Sequence, residues 1–261
     1  MRAEDAAAAA AEGKYSFVFP GLVEKIAREE CAKYKKDRDC VKAVKRRLHI
    51  LCGAFENGDC HRTAAGILEM AERGKRMLSE EELREICSLH ASTRERLPFI
   101  SEFYGFLAEK LENPVSVLEP GCGFAPFCAG LMPSVREYWV SDIDMRSLAL
   151  IERFFALAGI RGTAEPLDAA EAAPAKPADA AFLFKLLPVL DAQATGRGFR
   201  LMEELPVKKL AVSFPTRSLG GRDRGMEAFY GGRFEAGLPK CFEIAAKEVI
   251  GTELLYAVFR K

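Results

Sequence analysis

A glycine pair follows a short β-branched run in Val115-Ser116-Val117-Leu118-Glu119-Pro120-Gly121-Cys122-Gly123, and 23 residues after Glu119 the chain reads Ser141-Asp142-Ile143-Asp144. Glycines directly after a buried strand let the backbone pass close to a ligand, and an acid at the end of the next strand can accept both hydroxyls of a ribose. That combination suits an adenosine. Two features depart from a dinucleotide site: Glu119 closes the first strand, and Pro126 stands where a third glycine would admit a pyrophosphate. An acid at that place repels a diphosphate and favours a ligand with a positively charged amino-acid end, as in S-adenosylmethionine. Asp168, after Ala164-Glu165-Pro166-Leu167, falls at the end of a third strand. There a carboxylate can accept from the adenine amino group, or else cap a helix.

Other chemistry is poorly supported. The eight cysteines contain no C-x-x-C pair. Cys52, Cys60 and His61 lack a fourth ligand at a usual zinc spacing, so no metal is expected and the cysteines are read as small buried hydrophobes. Glu4 and Asp5 precede the alanine tract Ala6 to Ala11, the reverse of a secretory signal's charge order. A cytoplasmic location with all eight cysteines reduced is the expectation. His49, His61 and His90 read as ordinary helical or capping residues.

The elements that must position these acids follow from periodicity. Hydrophobic residues at 49% with 29% charged exclude a disordered chain, and no apolar run is long enough to cross a bilayer. Up to about Glu112 apolar positions recur every three or four residues, which predicts helices. After Pro114, strand candidates at Val115 to Leu118, Glu137 to Ser141, Ala181 to Leu187 and Lys208 to Phe214 leave room for helices between them. That alternation predicts an α/β fold with a parallel sheet covered on both faces, and Phe242 to Arg260 adds a hairpin at its edge. The division expected is a flexible tail over 1–13, frayed or helical, a helical domain over 14–112 and a ligand-binding α/β domain over 113–261. Ser92-Thr93-Arg94-Glu95 fits a capping box for a helix whose buried face is Leu97, Ile100, Tyr104, Leu107 and Leu111, with a kink or later start at Pro98.

Three longer strings carry a resemblance: His90-Ala91-Ser92-Thr93-Arg94-Glu95-Arg96-Leu97, Phe184-Lys185-Leu186-Leu187-Pro188, and Ser213-Phe214-Pro215-Thr216-Arg217-Ser218-Leu219-Gly220-Gly221-Arg222. With Gly251-Thr252-Glu253-Leu254-Leu255-Tyr256 in the last hairpin, they closely resemble the aminoglycoside-resistance 16S rRNA methyltransferases, from about Lys14 to the end. The resemblance implies a class I, Rossmann-like methyltransferase with a helical N-terminal domain. The implied activity is methylation of N7 of guanine 1405 in the decoding site of the assembled 30S subunit, with S-adenosyl-L-methionine as donor. It implies that Arg96 or its neighbour Arg94 pairs with the cofactor carboxylate and that Glu119, Gly121 and Gly123 form the cofactor turn. Asp142 with Ile143 would hold the ribose and Asp168 with Ala169 the adenine, while Phe184 and Gln193 make pocket wall and rim. One departure stands out: the family pattern places Asn after Gly-Leu, whereas this chain reads Gly123-Phe124-Ala125-Pro126, which removes a polar side chain near the methyl donor.

Guanine N7 carries an in-plane lone pair and no proton, so it needs alignment and a charge-tolerant environment, not a general base. No catalytic side chain is therefore expected, and Cys122 is read as packing. The RNA partner directs attention to charge. Formal net charge is zero, 38 basic against 38 acidic residues. Yet Lys14 to Arg47 holds eleven Lys and Arg against five acids, and Lys208 to Arg224 five against one. Lys45, Arg46, Arg47, Arg217, Arg222 and Arg224 are the expected RNA contacts, and a monomer is the expected state. A same-fold methyltransferase with another RNA position or a small-molecule acceptor, and a non-catalytic 30S-binding homologue, are the rival readings.

Overall fold

The computed structural model describes residues 3–34, 36–52, 59–217 and 225–261. Among the described residues seven α-helices precede the first strand: α1 Ala3–Ala11, α2 Pro20–Cys31, α3 Asp37–Cys52, α4 Cys60–Arg73, α5 Glu80–Leu89, α6 Ala91–Arg96 and α7 Ile100–Lys110. Then β1 Ser116–Pro120, β2 Glu137–Asp142, α8 Met145–Ala158, β3 Arg161–Pro166, β4 Ala180–Phe184, α9 Leu186–Gln193, α10 Arg197–Glu204, β5 Lys209–Pro215, α11 Met226–Gly237, β6 Phe242–Ile250 and β7 Glu253–Arg260 build one sheet and its cover. Strand order is β3-β2-β1-β4-β5-β7-β6; β7 runs antiparallel to both of its neighbours, β5 and β6, and the other pairings are parallel. The edge hairpin and the parallel core agree with the sequence pattern.

Side chains alternate across each strand, as a period of two requires. Val117, Tyr138, Val140 and Phe182 enter the core beneath α4, α5, α7 and α8. Leu118, Ala181 and Leu183 face the core beneath α9, α10 and α11. The order reverses at β1, because β2 and β3 extend to one side and β4 and β5 to the other. Such a switch point leaves a crevice beyond the carboxyl ends of the strands, where open α/β sheets bind ligands.

The structure differs from the sequence pattern in several places. Over Ala3–Ala11 the tail takes the helical alternative and is packed, with Ala6, Ala7 and Ala10 buried against α2 and α3, because alanine is small enough for close helix contact. The division at 112/113 does not separate two cores: α4, α5 and α7 share theirs with the sheet, and α1 to α3 form a separate apolar cluster. Not all cysteines are reduced. Cys31 at the end of α2 and Cys40 in α3 are brought to a Cα separation of 5.1 Å by the helical hairpin and form a disulfide, a distance within normal bridging range. Finally, Ser92 lies inside α6 and caps nothing; His90 occupies the N-cap, and Thr93 instead donates to the Cys87 and His90 carbonyls. The capping box of this region is Ser79 with Glu82, opening α5. Pro98 lies in a 3-10 turn, Leu97–Phe99, that ends α6 and lets α7 start at Ile100, the later start expected.

Candidate functional site

At the switch point, β1 runs into a turn that holds Gly121 and Gly123, with φ of +64° and +51°. The sites are tight as well as left-handed. A Cβ on Gly121 would stand 2.7 Å from Leu186 Cδ1, and one on Gly123 2.9 Å from His90 Cε1, so side chains are excluded twice over. The turn is tied to β2: Gly123 N–H donates to Asp142 Oδ2 at 2.9 Å and Asp144 N–H to Asp142 Oδ1 at 3.0 Å. Burial raises the Asp142 pKa above its ordinary value, against the opposing effect of these amide donors. Asp144 in turn caps α8, accepting from the Arg146 and Ser147 amides, and lies 3.4 Å from His61 Nε2.

Opposite the turn lies Arg96, 3% exposed. Its Nε and Nη2 donate to the two carboxylate oxygens of Glu253 at 2.9 and 3.0 Å, and its guanidinium lies 4.0 Å from the Phe103 ring centroid and 4.7 Å from that of Phe184. Two flat rings and a bidentate carboxylate thus hold the guanidinium in one orientation. Glu253 also accepts from Ser213 Oγ at 2.8 Å, with Lys185 Nζ at 3.4 Å. Burial alone would raise the Glu253 pKa; the charges of Arg96 and Lys185 overcome it and hold the carboxyl below its ordinary range. Arg96 Nη1 is buried and has no hydrogen-bond partner among the described residues, although Arg96 borders the cavity. A buried guanidinium N–H without an acceptor is costly, and a ligand carboxylate would satisfy it. Lys185 adopts a left-handed backbone, φ +54°, which carries strain in a residue with a Cβ. Its Nζ is paired with Glu95 at 2.8 Å.

On the third side, Asp168 Oδ1 accepts from Ala170 N–H at 2.9 Å and closes a local turn; no helix follows for it to cap, and the residue borders the cavity. Arg96, Gly121, Gly123, Asp142, Ile143, Asp168, Ala169, Phe184 and Gln193 all line this one cavity. Two expected residues do not. Arg94 points away and donates to the Ser88 carbonyl at 3.3 Å, so of the two arginines it is Arg96 that reaches the site. Glu119, 2% exposed, falls on the side of β1 shared with Val117 and accepts from Tyr138 Oη. Strand alternation turns it into the core, where burial pushes its pKa up to about 8.

The sequence reading missed several lining residues. His90 stacks on Phe124, centroids 5.4 Å apart, and burial pushes its pKa down to about 4, so the ring is neutral. Its place in a family-like string was the available signal. His61 donates to or accepts from Ser147 Oγ at 3.0 Å, and Leu22, Leu51 and Cys52 reach the cavity from α2 and α3. Nothing local in the sequence marks these. Cys122 is buried with a raised pKa, which agrees with packing.

Of the expected RNA contacts, Arg46 and Arg217 are exposed and Lys45 is half-buried. Arg222 and Arg224 lie outside the described residues. Arg47 is engaged otherwise: it pairs with Glu29 and, at 3.1 Å, with Glu30, fastening α3 to α2. Among the described residues no helix is long and apolar enough to cross a membrane, and no cluster of three His, Cys, Asp or Glu is arranged to hold a metal.

A family model described as ribosomal RNA methyltransferase (FmrO) matches residues 11–256. A curated relative from Serratia marcescens, named 16S rRNA (guanine(1405)-N(7))-methyltransferase, is 38% identical over 248 residues, covering 95% of this chain and 94% of that protein. The solved structure of the 16S rRNA methyltransferase RmtF in complex with S-adenosyl-L-homocysteine superposes with a TM-score of 0.89 at 36% identity, covering 100% of this chain and 98% of that one. The 16S rRNA methylase RmtB superposes at 0.87 with 32% identity, covering 100% and 99%. With near-complete coverage and a matching Rossmann-like sheet, this chain belongs to the FmrO family of ribosomal RNA methyltransferases.

Proposed function

We propose that the protein methylates N7 of guanine 1405 in 16S rRNA of the assembled 30S subunit, with S-adenosyl-L-methionine as donor, and thereby confers aminoglycoside resistance. The observation that carries this reading is the convergence of Arg96, Asp142 and Asp168 on one cavity at the sheet's switch point, with the buried Nη1 of Arg96 lacking an acceptor among the described residues. Arg96 Nη1 would take the cofactor carboxylate, Asp142 the ribose hydroxyls and Asp168 the adenine amino group. Gly121 and Gly123 leave room for the backbone to approach, and Phe184 and Gln193 form wall and rim. When bound, S-adenosylmethionine supplies the methyl group to be transferred.

The chain's own task is alignment and charge management. N7 has no proton to remove, so no base is required, and none of the lining histidines is charged at neutral pH: burial lowers the pKa of both His61 and His90. Neutral rings beside the glycine turn add no cation next to a sulfonium; Asp144 is neutralised by Arg146 at 2.7 Å, which leaves the Asp142 carboxylate to favour it. Arg96 is itself neutralised by Glu253.

For the rRNA contacts we propose the helical region 14–112, with exposed Arg46 and half-buried Lys45, together with Arg217 and the expected Arg222 and Arg224. Exposed cations position the enzyme on the phosphate backbone, and the shape of the folded subunit selects the site. The protein would act as a monomer in the cytoplasm. The test is methyl transfer to purified 30S subunits beside naked 16S rRNA, followed by mass spectrometry of the decoding-site fragment. One 7-methylguanine at position 1405 on subunits alone is expected; an unmodified fragment refutes the proposal.

A further inference from the structure

The cavity has a wall that does not belong to the sheet domain. Helix α2 is laid across the acids at two places. At its start, Phe19 N–H donates to the Ile143 carbonyl at 2.8 Å, directly after Asp142, and Met145 N–H donates back to Phe17 at 3.0 Å. Leu22, 2% exposed, borders the cavity one turn later. On the same helix, Lys25 extends its ammonium to Asp168 Oδ2 at 3.2 Å and to Glu171 Oε1 at 2.5 Å, with 18% of its side chain exposed. Asp168 is therefore held at both oxygens, by the Ala170 amide on one and by Lys25 on the other.

A carboxylate offers about four lone-pair directions, so two fixed donors leave the remaining ones pointing along set lines. Without Lys25, Asp168 keeps only the amide, and Glu171 becomes an uncompensated like charge nearby. We propose that Lys25 is a positioning residue for cofactor recognition: held by the N-terminal helices, it orients the Asp168 carboxylate that reads the exocyclic amino group of the adenine. This rests on the reading of the cavity as the S-adenosylmethionine site. Adenine presents N–H donors there, which an oriented carboxylate accepts. Hypoxanthine presents a carbonyl oxygen, which meets the carboxylate lone pairs with repulsion. Preference between the two bases is thus a measure of Asp168 orientation that simple loss of stability does not imitate.

The experiment is calorimetric titration of the full chain with S-adenosylhomocysteine and with S-inosylhomocysteine, for the wild type, Lys25→Met and Lys25→Arg, with ligand-free thermal unfolding alongside. The wild type is expected to prefer the adenine ligand by about ten-fold or more, the range of one hydrogen bond to a charged group. Lys25→Met should bind the adenine ligand about ten-fold more weakly and lose most of that preference, whereas Lys25→Arg restores both. A Lys25→Met protein that keeps the wild-type preference, even with a lowered unfolding temperature, makes the ion pair a mere strut between helices and overturns the proposal alone. A wild type that binds the two ligands equally overturns it together with the adenine role of Asp168. Binding of neither ligand by the wild type overturns the cofactor-site reading itself.

Discussion

Replacing Glu119 by glutamine should stabilise the protein, and by more at pH 8 than at pH 5. The carboxyl is 2% exposed on the core side of β1, accepts from Tyr138 Oη, and is pushed up to about 8 by burial. In the unfolded chain it titrates near its ordinary value of 4.5. Below that value both states are protonated and nothing is at stake. Between 4.5 and about 8 the unfolded state releases its proton while the folded state keeps it, so stability falls as pH rises. At about 1.4 kcal/mol per pH unit, the whole interval amounts to roughly 5 kcal/mol. Glutamine keeps the shape of the protonated acid and an oxygen to accept from Tyr138, adds one N–H donor, an offset that does not change with pH, and does not titrate. Urea unfolding of both proteins, followed through the single Trp139, from about pH 5 to about pH 8 isolates this effect because all other groups are shared. The stability difference should grow by several kcal/mol across that range. A difference constant to within about 0.5 kcal/mol refutes the reasoning, because Glu119 would then ionise as readily folded as unfolded.

Asp142→Ala removes the acceptor of the Gly123 and Asp144 amides and the proposed ribose ligand; at about 1.5 kcal/mol or more for each charged hydrogen bond, cofactor affinity should drop by a hundred-fold or more in calorimetry. Gly123→Ala forces a left-handed backbone and a Cβ 2.9 Å from the His90 ring, and should weaken the same titration by at least about 1–2 kcal/mol. Glu253→Ala strands a buried guanidinium and should cost about 3–5 kcal/mol in urea unfolding, most of it recovered when Arg96→Met is added. Arg46→Glu should weaken 30S binding, with a shallower salt dependence and unchanged cofactor affinity. Arg47→Glu, by contrast, breaks the contacts to Glu29 and Glu30 and should act first on stability, read as a lower unfolding temperature.

The contrast between Arg46 and Arg47 shows where sequence reading stops. Adjacent in the same basic run, they differ because helical geometry turns one toward α2 and leaves the other in solvent. The same rule separates Arg94 from Arg96, and the period of two along β1 sends Glu119 into the core while Gly121 and Gly123 stay at the crevice. Charge counts along a chain carry no information about facing.

Local and repeating signals were legible. Strand-helix alternation after Pro114, the glycine turn, the acids at the ends of β2 and β3 and the edge hairpin depend on nearest neighbours and on a burial period, which the order of residues states directly. So does the family, through strings too specific to arise from composition. Closure of the cavity depends on contacts between residues far apart in the chain, and there only the tertiary structure decides. Glu253 reaches back across 157 positions to Arg96, and Lys25 forward across 143 to Asp168. The alanine tract becomes a packed helix, and Cys31 meets Cys40, because other helices fold against them. Each of these pairs is made by packing, which no single segment encodes by itself.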